Sequence, residues 1–297
     1  MNNNNFVIVS LDVGGTSIKG AGVNRDAQLI GNVLEIPSPS NDDADTIIGK
    51  FATLLQNIKD TAADAGFETL AYGIGMPGPF DYANGVSQMK HKFSSLFGIN
   101  LKTRLEELLQ KPVFFINDAA AFGLGVVWKE YPLEKHLLAV TLGTGLGSSF
   151  LIDGKITTSV KGVTESGEIW NIHYQEGILE DKISKRAIEQ AYLRSSGRNI
   201  SVKEIADKAR EGDQAAKEVF EQFAVNLGDG LASTVADFHP TRIVFGGKIS
   251  RAFDLFGESA EKVFTKKAGF TTTFTQSKQD NLAIYGAARH AFDQLHI

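Results

Sequence analysis

The 297-residue sequence contains no cysteine. That absence excludes disulfides and thiolate metal sites, and it fits a reducing cytoplasm. No apolar run approaches the roughly 20 residues needed to cross a bilayer. The opening Met1-Asn2-Asn3-Asn4-Asn5 has neither the basic nor the apolar region of a secretory leader. No dense Lys/Arg block occurs, and 30 basic against 35 acidic residues leave a net charge of −5. A nucleic-acid surface is not expected from such a balance, and no membrane partner is either. The six histidines are scattered without HExxH spacing, so a catalytic zinc site is not expected. Neither GxxxxGK[ST] nor GxSxG is present. The remaining composition, 42% hydrophobic and 22% charged, is that of a globular chain with one large domain or two ordinary ones.

The most informative stretch lies near the start. An apolar run, Phe6 to Val9, reads as a buried strand and leads into Leu11-Asp12-Val13-Gly14-Gly15-Thr16-Ser17, after which Ile18 to Val23 is apolar again. Two strands joined by Gly-Gly-Thr make a hairpin whose tip is mostly backbone N–H. Glycine removes the Cβ that would keep phosphate oxygens away. Asp12 repels phosphate by itself, so it makes sense there beside a cation such as Mg²⁺. Downstream, Gln28–Val33 reads as a third strand, Asp45–Ala65 as a helix after acidic capping residues, and Thr69–Ile74 as a strand. Gly75-Met76-Pro77-Gly78-Pro79 reads as a stiff loop. Gly73 to Gly78 formally matches GxGxxG, but Pro77 and Pro79 obstruct the helix that a dinucleotide fingerprint should open. Leu101–Gln110 reads as an amphipathic helix ended by Lys111-Pro112. Val113–Ile116 reads as a strand with Asn117-Asp118 at its carboxyl end, where α/β folds place their chemistry. An Ala-rich helical start follows, for which Asp118 is a favoured N-cap.

The opening layout then recurs. Leu137–Leu142 is a strand, Gly143-Thr144-Gly145-Leu146-Gly147 a second glycine/threonine turn, and Ser148–Ile152 a second strand. Asp153-Gly154 signals a type I′ hairpin. Helices are expected over Ile183–Arg194, Val202–Arg210, Asp213–Phe238 and after Asn281, with a strand at Arg242–Phe245 ending in Gly246-Gly247. The pattern reads as a structural duplication, and two phosphate loops facing each other across a cleft would hold a nucleoside triphosphate.

These motifs, in this order and over almost the whole chain, resemble the ROK family of sugar kinases within the actin-like ATPase superfamily. The first phosphate motif matches at Leu11 to Thr16 and Lys19. The sugar-side GxGxPG matches at Gly73 to Gly78, and the catalytic NDA segment at Asn117-Asp118-Ala119. The second phosphate motif matches at Leu142 to Gly147, and the adenosine-side motif at Ile243 to Gly247. The resemblance implies a two-lobed α/β fold of the ribonuclease H-like, actin-like ATPase type with its active site between the lobes. The smaller domain would comprise 1–117 plus about 283–297, and the larger 118–282. It implies an ATP-dependent hexose kinase acting on the sugar 6-hydroxyl, cytoplasmic and homodimeric.

By the same resemblance Asp118 is the catalytic base. Gly78, Asn117, Asp118, Glu168, Asn171 and Glu180 are the sugar contacts. Asp12, Gly14, Gly15, Thr16, Lys19, Thr144, Gly145, Gly246 and Gly247 hold ATP, with Mg²⁺ at Asp12 directly or through water. Two departures bear on the substrate. Asn171 stands where the family carries histidine, with His173 offset by two residues, and the cysteine-rich zinc loop is missing. Glucose is the first reading, with an N-acylhexosamine kinase or a polyphosphate-dependent glucokinase as alternatives. A non-catalytic sugar-binding regulator is the reading from a different class. Family repressors carry an N-terminal helix-turn-helix, whereas the phosphate hairpin begins here within the first dozen residues. Activity is expected to need Mg²⁺ and no zinc; elemental analysis showing stoichiometric zinc in the purified, active protein would overturn this.

Overall fold

A computed structural model describes residues 5–297. The chain forms two compact units, one of residues up to Pro132 with Gln279–Ile297, the other Leu133–Lys278. In the first unit β1 (Phe6–Val13), β2 (Ser17–Asn24) and β3 (Leu29–Pro37) precede α1 (Ala44–Asp64) and β4 (Glu68–Met76). Then come α2 (Leu101–Leu109), β5 (Val113–Asn117) and α3 (Asp118–Lys129). The second unit holds β6 (His136–Leu142), β7 (Leu146–Ile152), β8 (Lys155–Ile156), α4 (Lys185–Ser196), α5 (Val202–Arg210) and α6 (Gln214–Val235). It continues with β9 (Arg242–Gly246), α7 (Phe253–Ala268) and β10 (Thr273–Gln276), and α8 (Leu282–Gln294) returns to the first unit.

The duplication read from the sequence is present as sheet topology. The first sheet runs β3-β2-β1-β4-β5 and the second β8-β7-β6-β9-β10. In each, the first three strands of the unit are antiparallel neighbours, and the next two add in parallel on the other side. The hairpins come from local chemistry: β7 and β8 pair directly across Asp153 (φ 47°) and Gly154 (φ 76°), the left-handed pair that a type I′ turn demands.

Alternation on β1 sorts its side chains. Val9, Leu11 and Val13 join a core with Ile47, Phe51, Leu54, Leu55 and Ile58 of α1 and Leu101 and Leu105 of α2. The α1 set recurs at helical spacing, so one stripe faces the sheet. Its first turn is capped by Asp43, which accepts from the Thr46 amide (2.9 Å) and hydroxyl (2.6 Å). The opposite face of the sheet carries α3 and α8, and here glycine replaces the apolar stripe. A Cβ on Gly73 of β4 would lie 2.3 Å from the Ala287 carbonyl oxygen; one on Gly125 of α3 would lie 1.9 Å from that of Leu282; one on Gly286 of α8 would lie 1.6 Å from that of Ala121. The two helices and the strand therefore meet backbone to backbone.

Two sequence readings change. Gly75 and Met76 lie inside β4, not in a loop, because the strand continues to Met76. The stretch Phe253–Ala268, which carries no helical reading in the sequence, is α7. Its buried stripe of Phe256, Gly257, Ala260 and Phe264 is built on aromatics and interrupted by glycine, which weakens any propensity signal. The backbone contacts set a direct comparison. Gly286→Ala is expected to destabilise by more than about 3 kcal/mol, beyond ordinary overpacking. Gly49→Ala, in α1 with open space around its Cβ, should stabilise by about 0.5–1 kcal/mol. Chemical denaturation of both variants checks this, and equal midpoints would refute the close-contact account.

Candidate functional site

In the first unit the ends of three parallel strands bring the candidate residues together. Asp12 of β1 pairs with Gly75 of β4, which pairs with Ile116 of β5, and Asn117-Asp118 follow at once. Gly75 sits between the two carboxylate-bearing strand ends, and a Cβ there would be 3.9 Å from the Asp118 Cα. Asp12 and Asp118 act on each other electrically. Burial first, and the negative charge of Asp118 second, push the Asp12 carboxyl up from 3.8 to about 6. Lys19, opposite Asp12 in the β1–β2 register, pulls the other way. Lys19 also stands 3.7 Å from Glu35 in an exposed pair that contributes little to stability.

The Gly14–Thr16 turn closes through the Gly14 N–H, which donates to the Ser17 carbonyl at 3.0 Å. Gly15 and Thr16 are exposed. A Cβ on Gly14 would stand 2.8 Å from the Ser17 oxygen, so glycine is the residue that fits. Gly78 is exposed just beyond β4.

Asn117, and not Asp118, caps α3. Its Oδ1 accepts from the Ala119 and Ala120 amides at 3.0 and 3.1 Å, because the strand-to-helix bend leaves residue 117 extended (ψ 140°). Asp118 is already the first helical residue, and its Oδ1 accepts from the Ala119 amide at 2.8 Å. The other end of the Asn117 amide donates to the Tyr82 hydroxyl at 3.1 Å, and that hydroxyl donates to the Met76 carbonyl at 3.1 Å. Tyr82 thus ties the end of β4 to the end of β5. No motif marks it in the sequence, since it stands 35 residues from its partner.

The second unit gathers its own set. The second turn closes through the Gly143 N–H to the Gly145 carbonyl (3.0 Å). Glu180 reaches it: its Oε2 accepts from the Leu146 amide at 2.8 Å and would lie 2.5 Å from a Cβ on Gly145. Gly247 (φ 84°) adjoins the same turn, where a Cβ would meet the Leu142 carbonyl at 2.4 Å. Thr144 is exposed and Gly246 is buried at the end of β9. The stretch holding Glu168 and Asn171 is tied in at two points. The Ser148 hydroxyl donates to the Gly167 carbonyl (2.8 Å), and the Glu180 amide donates to the Trp170 carbonyl (3.1 Å). Glu168 is half-buried and accepts from the Trp170 indole at 3.1 Å, while Asn171 and His173 are exposed. Glu180 therefore holds the glycine turn, a task that the motif comparison alone does not reveal.

The ROK family model matches residues 8–293. The chain belongs to the ROK family. Among its ROK relatives, a glucokinase of Thermotoga maritima is 28% identical over 280 residues, covering 86% of each chain. An N-acetyl-D-glucosamine kinase of Photobacterium profundum is 27% identical over 273 residues, covering 85% of this chain and 87% of its own. A ROK hexokinase of Thermus thermophilus has the same fold, with a TM-score of 0.84 at 24% identity over 98% of this chain and 99% of the other.

The raised Asp12 carboxyl fixes the sign of a stability effect. In the unfolded chain it ionises near 3.8, in the fold near 6. The neutral form is favoured by folding, and that contribution is lost as pH rises through about 6. Asp12→Asn should therefore melt at a higher temperature than the parent at pH 8. The gap should close as pH falls below about 4, where the carboxyl is neutral in both states. Calorimetric scans across that range check this; equal melting temperatures at pH 8 would refute the account of a disfavoured Asp12 charge.

Proposed function

We propose that the chain is an ATP-dependent hexose kinase that transfers the terminal phosphoryl group to a sugar 6-hydroxyl, with glucose as first substrate. The observation that carries this reading is the Asp12–Asp118 pair, brought together across the end of β4 beside a glycine turn, in a chain of the ROK family. Phosphoryl transfer asks mainly for positioning and charge neutralisation. The Gly14 and Gly143 N–H groups close their turns, the N–H groups that follow them in each turn suit phosphate oxygens, and Lys19 adds a cation.

Asp12 fits Mg²⁺. Its charge is disfavoured in the fold by burial and by Asp118, and a divalent cation would relieve both. Among the described residues no group of three or more His, Cys, Asp or Glu is arranged to cage a metal. Mg²⁺ is commonly held by one or two carboxylates plus substrate phosphates and water. When bound, it would neutralise the triphosphate and orient it.

Asp118 would accept the 6-hydroxyl proton as that oxygen bonds to the terminal phosphorus and ADP departs with the oxygen it shared. Glu168, Glu180, Asn117, Asn171 and Gly78 are the proposed sugar contacts. Asn117 spends its Oδ1 on the helix cap and its amide N–H on Tyr82, so its part is to hold Asp118 as well as to face the sugar. The reading includes a cytoplasmic homodimer, on family resemblance. A second substrate class, N-acylhexosamines, is favoured by the N-acetylglucosamine kinase relative and by Asn171 in place of the family histidine.

A coupled assay of ATP consumption over glucose, mannose, N-acetylglucosamine and N-acetylmannosamine, with polyphosphate as a second donor, tests the reading. With the preferred sugar, Asp118→Asn should stay folded and bind both substrates while turnover falls by at least about 10²-fold. Since Asn117 provides the cap, any loss would not come from an uncapped α3. Turnover near the parent's would remove Asp118 from the chemistry.

A further inference from the structure

We infer that Lys92 is an additional phosphate-binding residue, taking the terminal phosphoryl group of the nucleotide at the Gly14–Thr16 turn. The inference rests on the kinase reading and adds to it a cation outside the motifs that support that reading.

The motif comparison supplies one lysine here, Lys19, which is set back on β2 and paired with Glu35. The structure brings in a second from 77–100, a stretch without any phosphate motif. The nearest atom to a Cβ built on Gly15 is the Lys92 Cε, at 3.9 Å. The ammonium lies one bond further along. Lys92 is exposed, and among the described residues it has no ion pair or hydrogen bond. Its neighbour Lys90 is otherwise engaged, 5.2 Å over the ring of Phe97.

A surface lysine is usually free to swing anywhere, but the backbone under this one is pinned. Met89 and Phe93 are both buried, so the intervening residues are held at each end. The Phe93 ring packs edge-on against Phe51 of α1 at 6.3 Å. Its amide donates to the Ser40 carbonyl at 3.2 Å. Phe93 also adopts φ 48°, a left-handed conformation that bulky side chains rarely adopt and that clusters at ligand clamps. A fully buried aromatic in that conformation, one residue after a cation held beside a glycine turn, is an arrangement that stability alone does not call for. An anion seated on the Gly15 and Thr16 backbone would have Lys92 on its flank. The adenosine-side Gly247 adjoins the second turn, which leaves the nucleotide's distal end to the first, so the terminal phosphoryl group is the chemistry that fits. A compact ammonium is suited to phosphate as a point charge.

The test measures binding as well as turnover. Calorimetry of the intact protein with Mg·ATP and, separately, Mg·ADP is carried out on the parent, Lys92→Met and Lys92→Arg. Lys92→Met keeps the stem and removes the charge, and a thermal melt should match the parent's because the side chain is exposed. Mg·ATP affinity should fall by at least about tenfold in Lys92→Met, the worth of one charge-assisted hydrogen bond. Mg·ADP and glucose affinities should stay within about twofold of the parent's, and Lys92→Arg should recover most of the loss. Unchanged Mg·ATP affinity in Lys92→Met would overturn the assignment, and an equal fall for Mg·ADP would overturn the terminal phosphoryl group as its target. A parent that binds neither nucleotide would overturn the kinase reading itself.

Discussion

The first unit depends on contacts made without side chains. Gly73, Gly125 and Gly286 let the backbones of β4, α3 and α8 touch, each at a place where a Cβ would fall within 2.3 Å of a carbonyl oxygen. Helix α8 comes from the far end of the chain, so α3 is clamped by a segment that is distant in sequence. Since α3 begins at Asp118, this clamp sets where that carboxylate stands. Gly125 weakens α3, and Gly286 weakens α8, as an isolated helix by roughly 1 kcal/mol relative to alanine, and close packing must make up for that. Helix propensity and site geometry pull in opposite directions here, and geometry prevails.

A second constraint is electrostatic. Asp12 is held where its charge is disfavoured, by burial and by a neighbouring carboxylate. A fold selected for stability alone would place an amide or an apolar side chain there. The placement makes sense for a site that takes up a cation, since the negative potential that disfavours the Asp12 charge would attract one. The two units solve one problem by different means. Each turns a hairpin tightly through glycine, and each brings a carboxylate to it. In the first unit the carboxylate belongs to the incoming strand. In the second it is Glu180, which arrives 34 residues after the Leu146 amide that it accepts from. Its place at Gly145 links the glycine turn to the stretch carrying Glu168 and Asn171, so a change at Gly145 would disturb both.

Much of this was open to a reader of the sequence. The strands read at Phe6–Val9 and Val113–Ile116, the helix at Val202–Arg210 and the two glycine hairpins follow from period, turn residues and caps, all of which act over a few neighbours. The repeated strand–turn–strand layout announced the repeated sheet order for the same reason, because a short glycine turn leaves two strands little choice but to pair. Motif order carried the family, and with it the candidates Asp12 and Asp118, which the sheet register brings to either side of Gly75 at the end of β4.

Other features were decided only by the tertiary structure. That Asn117 caps α3 in place of Asp118 turns on one backbone dihedral at the strand end. That Gly73 lies under α8 and Gly75 under α3 depends on how these helices cross β4, and α8 comes from the far end of the chain. Tyr82 on Asn117, Glu180 on the second turn and Lys92 beside the first are pairings across 34 to 77 residues. Local propensity carries no information about such pairings. They exist because packing fixes the distances, and hydrogen bonds and charges then act over whatever distances packing leaves.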